Sequence, residues 1–324
     1  MSNKDFSFNL SIQSIDDLLR CINLASLLEV AGWPKPGNVH RTKDFENTRF
    51  EHFLIGITAI QPNFREFCER IYNPSIKDYE NYSYIELGSF FRETVKEMIK
   101  WQKGGNVILG HILILAPLTA ATVLCLKENK SSYYDFQFYL NKIIEDTTIN
   151  DTINLYEAIR SCNPGGLGKI NKYDMNDTNS LKEIKRDKIN LQQIFKFSKD
   201  YDLISNEYAT GFNITLKEGL PYFFKVFEQY HDINIATVNT FLRLLSQHPD
   251  TLIIRKSGLD SALKVSNRAA QILEKGGVSR PEGIEATHKL DQELQKEKGK
   301  MNPGTTADII AGIIFCALIF GLSI

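Results

Sequence analysis

Two long apolar segments constrain the fold of this 324-residue chain more than any other feature. Neither Val107 to Leu126 nor the 16 residues from Ile309 to Ile324 contains Asp, Glu, Lys or Arg. Sixteen helical residues rise only about 24 Å, less than the roughly 30 Å hydrocarbon core of a membrane. The other segment is longer but contains His111 and Pro117. We therefore expect both segments to be buried helices at the centre of an all-α protein.

The rest of the chain also repeats its apolar residues at helical spacing. A first helix is predicted from near Ser14 to near Ala31 with Glu29 at its C-terminal end, and a second through residues 50–60, ended by Pro62. Further helices are predicted near residues 85–103, 108–126, 133–148, 152–162, 191–206, 220–231, 235–247, 259–275, 282–298 and 306–322. Alternation with a period of two residues is scarce. The predicted fold is all-α, in a single large multi-helix domain over residues 1–324.

The charge and the cysteine content limit which binding partners and which cellular compartment are expected for the protein. A formal net charge of -1 gives no electrostatic basis for nucleic-acid binding. No signal peptide is visible at the N-terminus, so a cytoplasmic location is expected. The cysteines are odd in number and far apart, which favours reduced core thiols over disulfides or zinc. They are Cys21, Cys68, Cys125, Cys162 and Cys316.

Three turns rich in proline and glycine adjoin apolar segments, at residues 34–38, 163–168 and 302–308. Proline ends a helix and glycine lets backbone N–H groups approach a ligand, so each turn suits an anion such as phosphate. In the third turn, a threonine cap would leave Asp308 in the first turn of the next helix. Ordinary caps and turns are the alternative. The binding candidates from these turns are Gly37, Asn38, Gly165, Gly166, Asn302, Gly304 and Thr305.

Residues 169–190 crowd lysine, arginine, aspartate and glutamate together after the second turn. A solvated loop is the default interpretation of such a segment. A mobile flap over a binding site is the second interpretation, because the segment leaves directly from the glycine-rich turn.

Carboxylates are the groups left to carry chemistry. The six histidines show no metal-ligand spacing, and no serine or cysteine lies in a nucleophile motif. Carboxylate oxygens suit Mg²⁺, which takes one or two of them together with substrate phosphates. The metal candidates are Glu29, Asp174, Asp177 and Asp308, each of which alone could be a cap or a solvated charge.

Basic and amide side chains accompany these carboxylates. An arginine fork suits phosphate, although a structural salt bridge is an equal alternative for Arg255. Asn106 and His111 lie at another predicted helix start, where a satisfied polar core is at least as good an interpretation of the histidine. The remaining phosphate-binding or substrate-binding candidates are Lys35, Arg41, Asn106, Arg255 and Lys256.

Four motifs in this order resemble the triphosphoribosyl-dephospho-CoA synthase family, from about Glu29 to Gly321. A glutamate followed by PKPG matches Glu29 with residues 34–37. The chain departs from the family at Val39-His40, where an aspartate is expected, and at residues 163–168, where an arginine-glycine-glutamate motif is expected. It therefore resembles a divergent branch. The other three matches are Asn106 with Leu109-Gly110, Asp250-Thr251 with Arg255 and Gly258, and Pro303-Gly304 with Ala307-Asp308.

The resemblance implies an all-α, Mg²⁺-dependent transferase with ATP as substrate. A ribose hydroxyl of 3′-dephospho-CoA, or of a related acceptor, would attack the anomeric carbon of ATP's ribose and release adenine. Such a site needs carboxylates for the positive charge and the hydroxyl proton, and basic groups for the triphosphate. The resemblance assigns metal binding or general-base catalysis to Glu29 and Asp308. It assigns phosphate binding to Lys35 and Arg255. Asn106 and Asn302 are assigned to orienting the substrate.

Other functions stay open at this point. The same carboxylates could present water to an N-glycosidic or phosphate bond as a Mg²⁺-dependent hydrolase. The chain could instead be a non-catalytic nucleotide-binding protein whose turns only cap helices. Peripheral membrane attachment through residues 309–324 is a further alternative, and a homo-oligomer is allowed.

Overall fold

The computed structural model describes residues 8–73, 81–162 and 172–324. Most of these residues lie in α-helices, and none of them lies in a β-strand. The predicted all-α class is confirmed. The helices are α1 Ile15–Ala31, α2 Phe50–Ala59, α3 Gln61–Tyr72, α4 Leu87–Trp101, α5 Leu109–Lys127, α6 Tyr133–Glu145, α7 Ile149–Cys162, α8 Ser180–Asp187, α9 Leu191–Ser198, α10 Leu203–Thr210, α11 Leu220–Tyr230, α12 Ile233–Gln247, α13 Thr251–Ser257, α14 Leu259–Glu274, α15 Pro281–Gln295 and α16 Gly304–Ile319.

Helices α5 and α16 pack against each other at the centre of the core. Helix α1 covers α16, while α3, α4 and α6 surround α5. Nearly every side chain of both central helices is buried, which explains why neither segment shows a polar face in the sequence. Of the helices in the described part of the chain, α5 is long and apolar enough to cross a membrane by length and composition. However, 94% of that stretch is buried inside the protein.

The structure corrects the helix prediction at Pro62 and at Asp202. Pro62 lies in the first turn of α3, where its missing N–H costs nothing, so it begins a helix that the sequence analysis missed. The predicted helix over residues 191–206 is two helices, α9 and α10. The break is at Asp202, whose carboxylate caps α10 by accepting the Ser205 N–H at 2.8 Å.

The polar segment at residues 169–190 is not a solvated loop throughout. Its described part, residues 172–190, contains α8, which buries Ser180 and Ile184 and ends where Lys188 takes a left-handed conformation. A charged face hid this short amphipathic helix, because only one strongly apolar residue in it is buried. That the segment acts as a flap stays a prediction, as does the single-domain organisation.

Candidate functional site

A cavity of about 1040 Å³ opens where the C-terminal end of α1 meets the N-terminal ends of α5 and α16. Helices α7, α9 and α13 supply its other walls. Two helix N-termini that face one space favour an anionic ligand there, because their first N–H groups and dipoles carry partial positive charge. The cavity is at the upper end of the size usual for small-molecule sites, which suits nucleotide substrates.

Glu29 and Lys35 form a buried ion pair at the base of this cavity. Glu29 follows Leu18, Ile22 and Ala25 on the buried face of α1, so helical periodicity carries its carboxylate into the core. The Lys35 ammonium donates to the Glu29 carboxylate and to the Glu29 backbone carbonyl at 2.6 Å. Burial opposes ionisation of Glu29, but Lys35 and His111 outweigh it and the pKa of Glu29 lies below its usual value. Glu29 is therefore held ionised.

His111 and Asp308 complete the charged cluster. The His111 Nε2 lies 3.2 Å from Glu29 Oε2 and 3.7 Å from Asp308 Oδ1. His111 Nδ1 is buried without a hydrogen-bond partner in the described residues. The sequence placed this histidine at a predicted helix start but left a core position as an equal interpretation, and its place after Leu109-Gly110 at the start of α5 was the only signal for a role in the site. The histidine thus links the two carboxylates.

Asp308 lines the cavity and is the more open carboxylate of the cluster, with its side chain 21% exposed against 3% for Glu29. Burial in the cluster, together with the nearby charges of Glu29, Asp250 and Asp202, raises its pKa well above the usual range. Gly110 lies directly against it, since a Cβ at Gly110 would overlap the Asp308 carboxylate. This close approach requires glycine in the first turn of α5.

Asp250 is a structural cap rather than a metal ligand. Its Oδ1 accepts the Leu252 and Ile253 N–H groups of α13 at 2.8 and 3.1 Å. Its Oδ2 accepts the Thr306 N–H and hydroxyl in the first turn of α16, at 2.7 and 2.8 Å. One fully buried side chain thus fixes the N-termini of two helices that line the cavity.

Arg255 and Lys256 lie in the last turn of α13 and line the cavity. The Arg255 Nη1 donates to Asp202 Oδ2 at 2.6 Å, while Arg255 Nε is buried without a partner in the described residues. Lys256 donates to the Gly299 carbonyl at 3.2 Å. Arg255 can therefore form its salt bridge and still bind phosphate, because the one ion pair leaves other guanidinium N–H groups free to donate.

The first and third predicted turns meet through their asparagines. Asn38 donates its amide to Asn302 Oδ1, and both residues line the cavity. The side-chain oxygen of Asn38, Oδ1, is buried without a partner in the described residues. Gly37 has φ 77 and donates its N–H to Asp291 Oδ1 at 2.9 Å, so that N–H is used inside the protein. Gly37 is not among the lining residues.

Four predicted residues line the cavity in different ways. Gly304 and Thr305 line it at the start of α16. Asn106 also lines it, and its Oδ1 accepts the Leu109 N–H at 3.2 Å, so this side chain caps α5. Lys35 lines it too, but its side chain is 1% exposed and engaged with Glu29. The geometry favours a counter-ion role for Lys35 over phosphate binding.

The structure does not bring the other candidates to the cavity. Arg41 donates to Asn234 Oδ1 at 3.1 Å and does not line the cavity. Asp174 and Asp177 accept N–H groups within their own turn, from Asn176 and Asn179, each at 2.8 Å. Neither aspartate lines the cavity, so they do not join the Glu29 and Asp308 carboxylates. Gly165 and Gly166 lie outside the described residues.

No group of three or more His, Cys, Asp or Glu side chains within residues 8–73, 81–162 and 172–324 could hold a metal ion unaided. The four predicted metal candidates therefore do not form one protein-only site. A pair of carboxylates at the cavity is still the donor set that Mg²⁺ uses when substrate phosphates supply further ligands.

Fold and site together define an all-α protein with an acidic cluster where two buried helices begin. Residues 15–323 match the family described as CitG, ATP:dephospho-CoA triphosphoribosyl transferase. The chain belongs to this family, as its motifs predicted.

Individual proteins show the same relationship. A candidate 2-(5''-triphosphoribosyl)-3'-dephosphocoenzyme-A synthase from Salmonella gallinarum is 33% identical over 105 residues, which are 32% of this chain. The synthase of that name from Klebsiella pneumoniae is 31% identical over the same length. Each alignment spans only 34% of the curated relative.

A crystal structure from Archaeoglobus fulgidus, described as a candidate triphosphoribosyl-dephospho-CoA synthase, is similar over a much larger part of the chain. It has a TM-score of 0.59 and 26% sequence identity, and it covers 83% of this chain and 99% of its own. The fold similarity therefore extends well beyond the segments that align with the curated relatives.

Proposed function

We propose that this chain transfers the triphosphoribosyl group of ATP to a ribose hydroxyl of 3′-dephospho-CoA or a closely related acceptor, with release of adenine. Family membership supports the reaction class. The observation that carries the proposal is Asp308, a cavity-facing carboxylate with a strongly raised pKa beside an ionised, buried Glu29. Two carboxylates in unlike environments suit a reaction that needs both a proton acceptor and a stabilising negative charge.

The reaction balances with the groups at hand. The bond between the anomeric carbon of ATP and its adenine nitrogen breaks, and a bond from that carbon to the acceptor oxygen forms. Asp308, whose raised pKa favours the protonated acid, gives its proton to adenine as adenine leaves and takes up the proton of the acceptor hydroxyl. Glu29, kept ionised by Lys35, stabilises the positive charge that develops at the anomeric carbon.

The phosphates of ATP and of the acceptor need positively charged partners elsewhere in the cavity. Arg255 and Lys256 fit this role because they line it and are less enclosed than Lys35. The N-terminus of α16, with Gly304 and Thr305, adds backbone partial charge. Asn38 and Asn302 present amide groups that orient a sugar or a base.

The residues present fit Mg²⁺. The Asp308 carboxylate lines the cavity and is partly exposed, and carboxylates are the hard oxygen donors that Mg²⁺ prefers. Glu29 and Asp308 would hold the ion together with substrate phosphates. When bound, Mg²⁺ would neutralise charge on the triphosphate.

The decisive experiment measures adenine release from ATP and Mg²⁺ with and without dephospho-CoA, and identifies the product by mass. Acceptor-dependent release, with a product that retains the triphosphoribosyl group, supports the transferase. Acceptor-independent release would favour the hydrolase instead. No release, together with no rise in melting temperature with Mg-ATP, would refute both enzymatic assignments.

Asp308→Asn separates the two roles open to Asp308. Loss of turnover by about 10²-fold to 10⁴-fold at saturating Mg²⁺ indicates proton transfer. An increased Mg²⁺ requirement with near-normal turnover at saturation indicates a ligand role. Turnover within about threefold of wild type and an unchanged Mg²⁺ requirement would remove Asp308 from the mechanism.

A further inference from the structure

One side of the cavity is largely apolar, although Lys172 also lines it, and it takes no part in the chemistry proposed above. It is built by α7, by α9 and by the chain on either side of α9. We call this surface the aromatic wall, and its principal residues are Tyr156, Ile159, Met175, Ile194, Phe197 and Tyr201.

Two rings of the aromatic wall are unusually open. Phe197 is 57% exposed and Tyr201 46% exposed, although both line a concave surface. The Tyr156 hydroxyl already donates to the Tyr173 carbonyl at 2.6 Å, so its polar end is satisfied within the protein. Open apolar rings in a cavity, beside side chains whose polar groups are satisfied, are typical of a surface that an uncharged ligand group covers.

The aromatic wall is connected to the acidic cluster through Arg255. Asp202, next to Tyr201 in the chain, accepts from Arg255 Nη1 at 2.6 Å. Arg255 lies on α13, whose capping residue Asp250 also bonds Thr306 near the start of α16, the helix that carries Asp308. Across the cavity, the aromatic wall is therefore followed by the Arg255 guanidinium and then by the carboxylates of the acidic cluster.

The acceptor of the proposed function has the same order of chemical groups. In 3′-dephospho-CoA the reacting ribose is followed by a diphosphate and then by the long uncharged pantetheine arm. ATP offers no such group, because its adenine is bonded directly to the reacting carbon and its far end is the anionic triphosphate. We propose that the aromatic wall binds the uncharged arm of the acceptor, with Arg255 at the diphosphate. This inference rests on the proposed function.

The test compares two ligands that differ only in the arm, 3′-dephospho-CoA and ADP, by calorimetric titration of the full chain. Phe197→Ala should raise the dissociation constant of dephospho-CoA relative to that of ADP by about tenfold, which corresponds to about 1.4 kcal/mol. Phe138→Ala is the matched control. Phe138 is 54% exposed on α6 and does not line the cavity, so the ratio should stay constant.

A second pair of variants keeps the test valid if Phe197→Ala fails to fold. Tyr201→Ala should change the ratio in the same direction, whereas Tyr134→Ala, at an exposed tyrosine outside the cavity lining, should not. Equal weakening of dephospho-CoA and ADP, weakened binding of Mg-ATP alone, or no change for either wall variant would overturn the inference. So would a wild-type chain that does not bind dephospho-CoA.

The adenine-release assay keeps the two proposals distinct. If transfer occurs and the binding ratio does not respond to the wall variants, the transferase stands and the arm site is wrong. If transfer is absent but the ratio responds, the arm site stands and the proposed reaction is wrong.

Discussion

Gly110→Ala tests whether the position of the Asp308 carboxylate governs activity. A Cβ at Gly110 would lie 2.5 Å from Asp308 Oδ1 and closer still to the other carboxylate atoms, whereas ordinary contacts begin near 3.4 Å. The carboxylate must therefore move by about 1 Å or more. A displacement of about 1 Å at a reacting group is enough to cost roughly 10²-fold in rate.

Stability should change much less than activity in this variant. Alanine is favoured over glycine inside a helix by about 1 kcal/mol, and Gly110 lies in the first turn of α5. The atoms that must move are the end of one partly exposed side chain. We therefore expect kcat/KM for adenine release to fall by about 10²-fold while the melting temperature shifts by only a few degrees.

A double-mutant cycle identifies the cause of the loss. If Gly110→Ala acts through Asp308, adding it to Asp308→Asn should lower activity by less than about threefold further. Full additivity of the two losses, or a Gly110→Ala enzyme within threefold of wild type, would refute this reasoning. A large fall in melting temperature would show that the backbone, and not the carboxylate, absorbs the overlap.

Three stability predictions follow, each measured by urea unfolding. Lys35→Met should destabilise by about 3–5 kcal/mol because it removes the ammonium that compensates the buried Glu29 carboxylate, and adding Glu29→Gln should restore much of that loss. Burial raises the pKa of Glu207 from 4.5 to about 7, so its stabilising contribution as the protonated acid, up to about 3 kcal/mol, is complete below pH 4.5 and disappears as the pH rises through 7. The stability advantage of wild type over Glu207→Gln should therefore shrink by that amount from pH 4.5 to 8, and a constant difference would contradict the raised pKa. Asp250→Asn should cost about 1–3 kcal/mol, because an amide would face N–H and hydroxyl donors in the first turn of α16, whereas Asp232→Asn at an exposed cap should cost less than 1 kcal/mol.

The helical fold could be predicted because most helices bury a periodic apolar face. The helix prediction failed where one type of residue is compatible with two different local structures. Proline ends one helix and begins the next equally well, as Pro62 does at the start of α3. A capping aspartate such as Asp202 interrupts an apolar pattern without changing its spacing, so α9 and α10 read as one helix. Helix α8 was missed because its polar face dominates its composition.

The site could be predicted only in part. Helix ends and turns in the sequence identified Glu29, Lys35 and Asp308, and the structure places all three in one cluster. The partner of each charge could not be predicted, because it depends on contacts between distant parts of the chain. Lys35 thus carries the sequence signature of a phosphate ligand but is buried against Glu29. His111 could equally have been a core residue until its two carboxylate neighbours were known.

Charge compensation explains why Asp308 stands out among the carboxylates of the core. Asp151 accepts the Gly88 and Thr148 N–H groups at 2.8 and 2.7 Å, and Glu207 accepts two N–H groups at 2.8 and 2.9 Å. Asp250 is capped in the same way, and Glu29 has a lysine.

For Asp308, the polar contact that the described residues provide is His111 Nε2 at 3.7 Å. The fold provides hydrogen-bond donors or a cation for these other buried carboxylates, but it provides few for Asp308, which lies beside a large cavity. Burying a carboxylate without such partners normally costs free energy of folding. The missing partner is therefore expected to come from the ligand, as a proton, a metal ion or a developing positive charge, and each of these has a place in the proposed transfer.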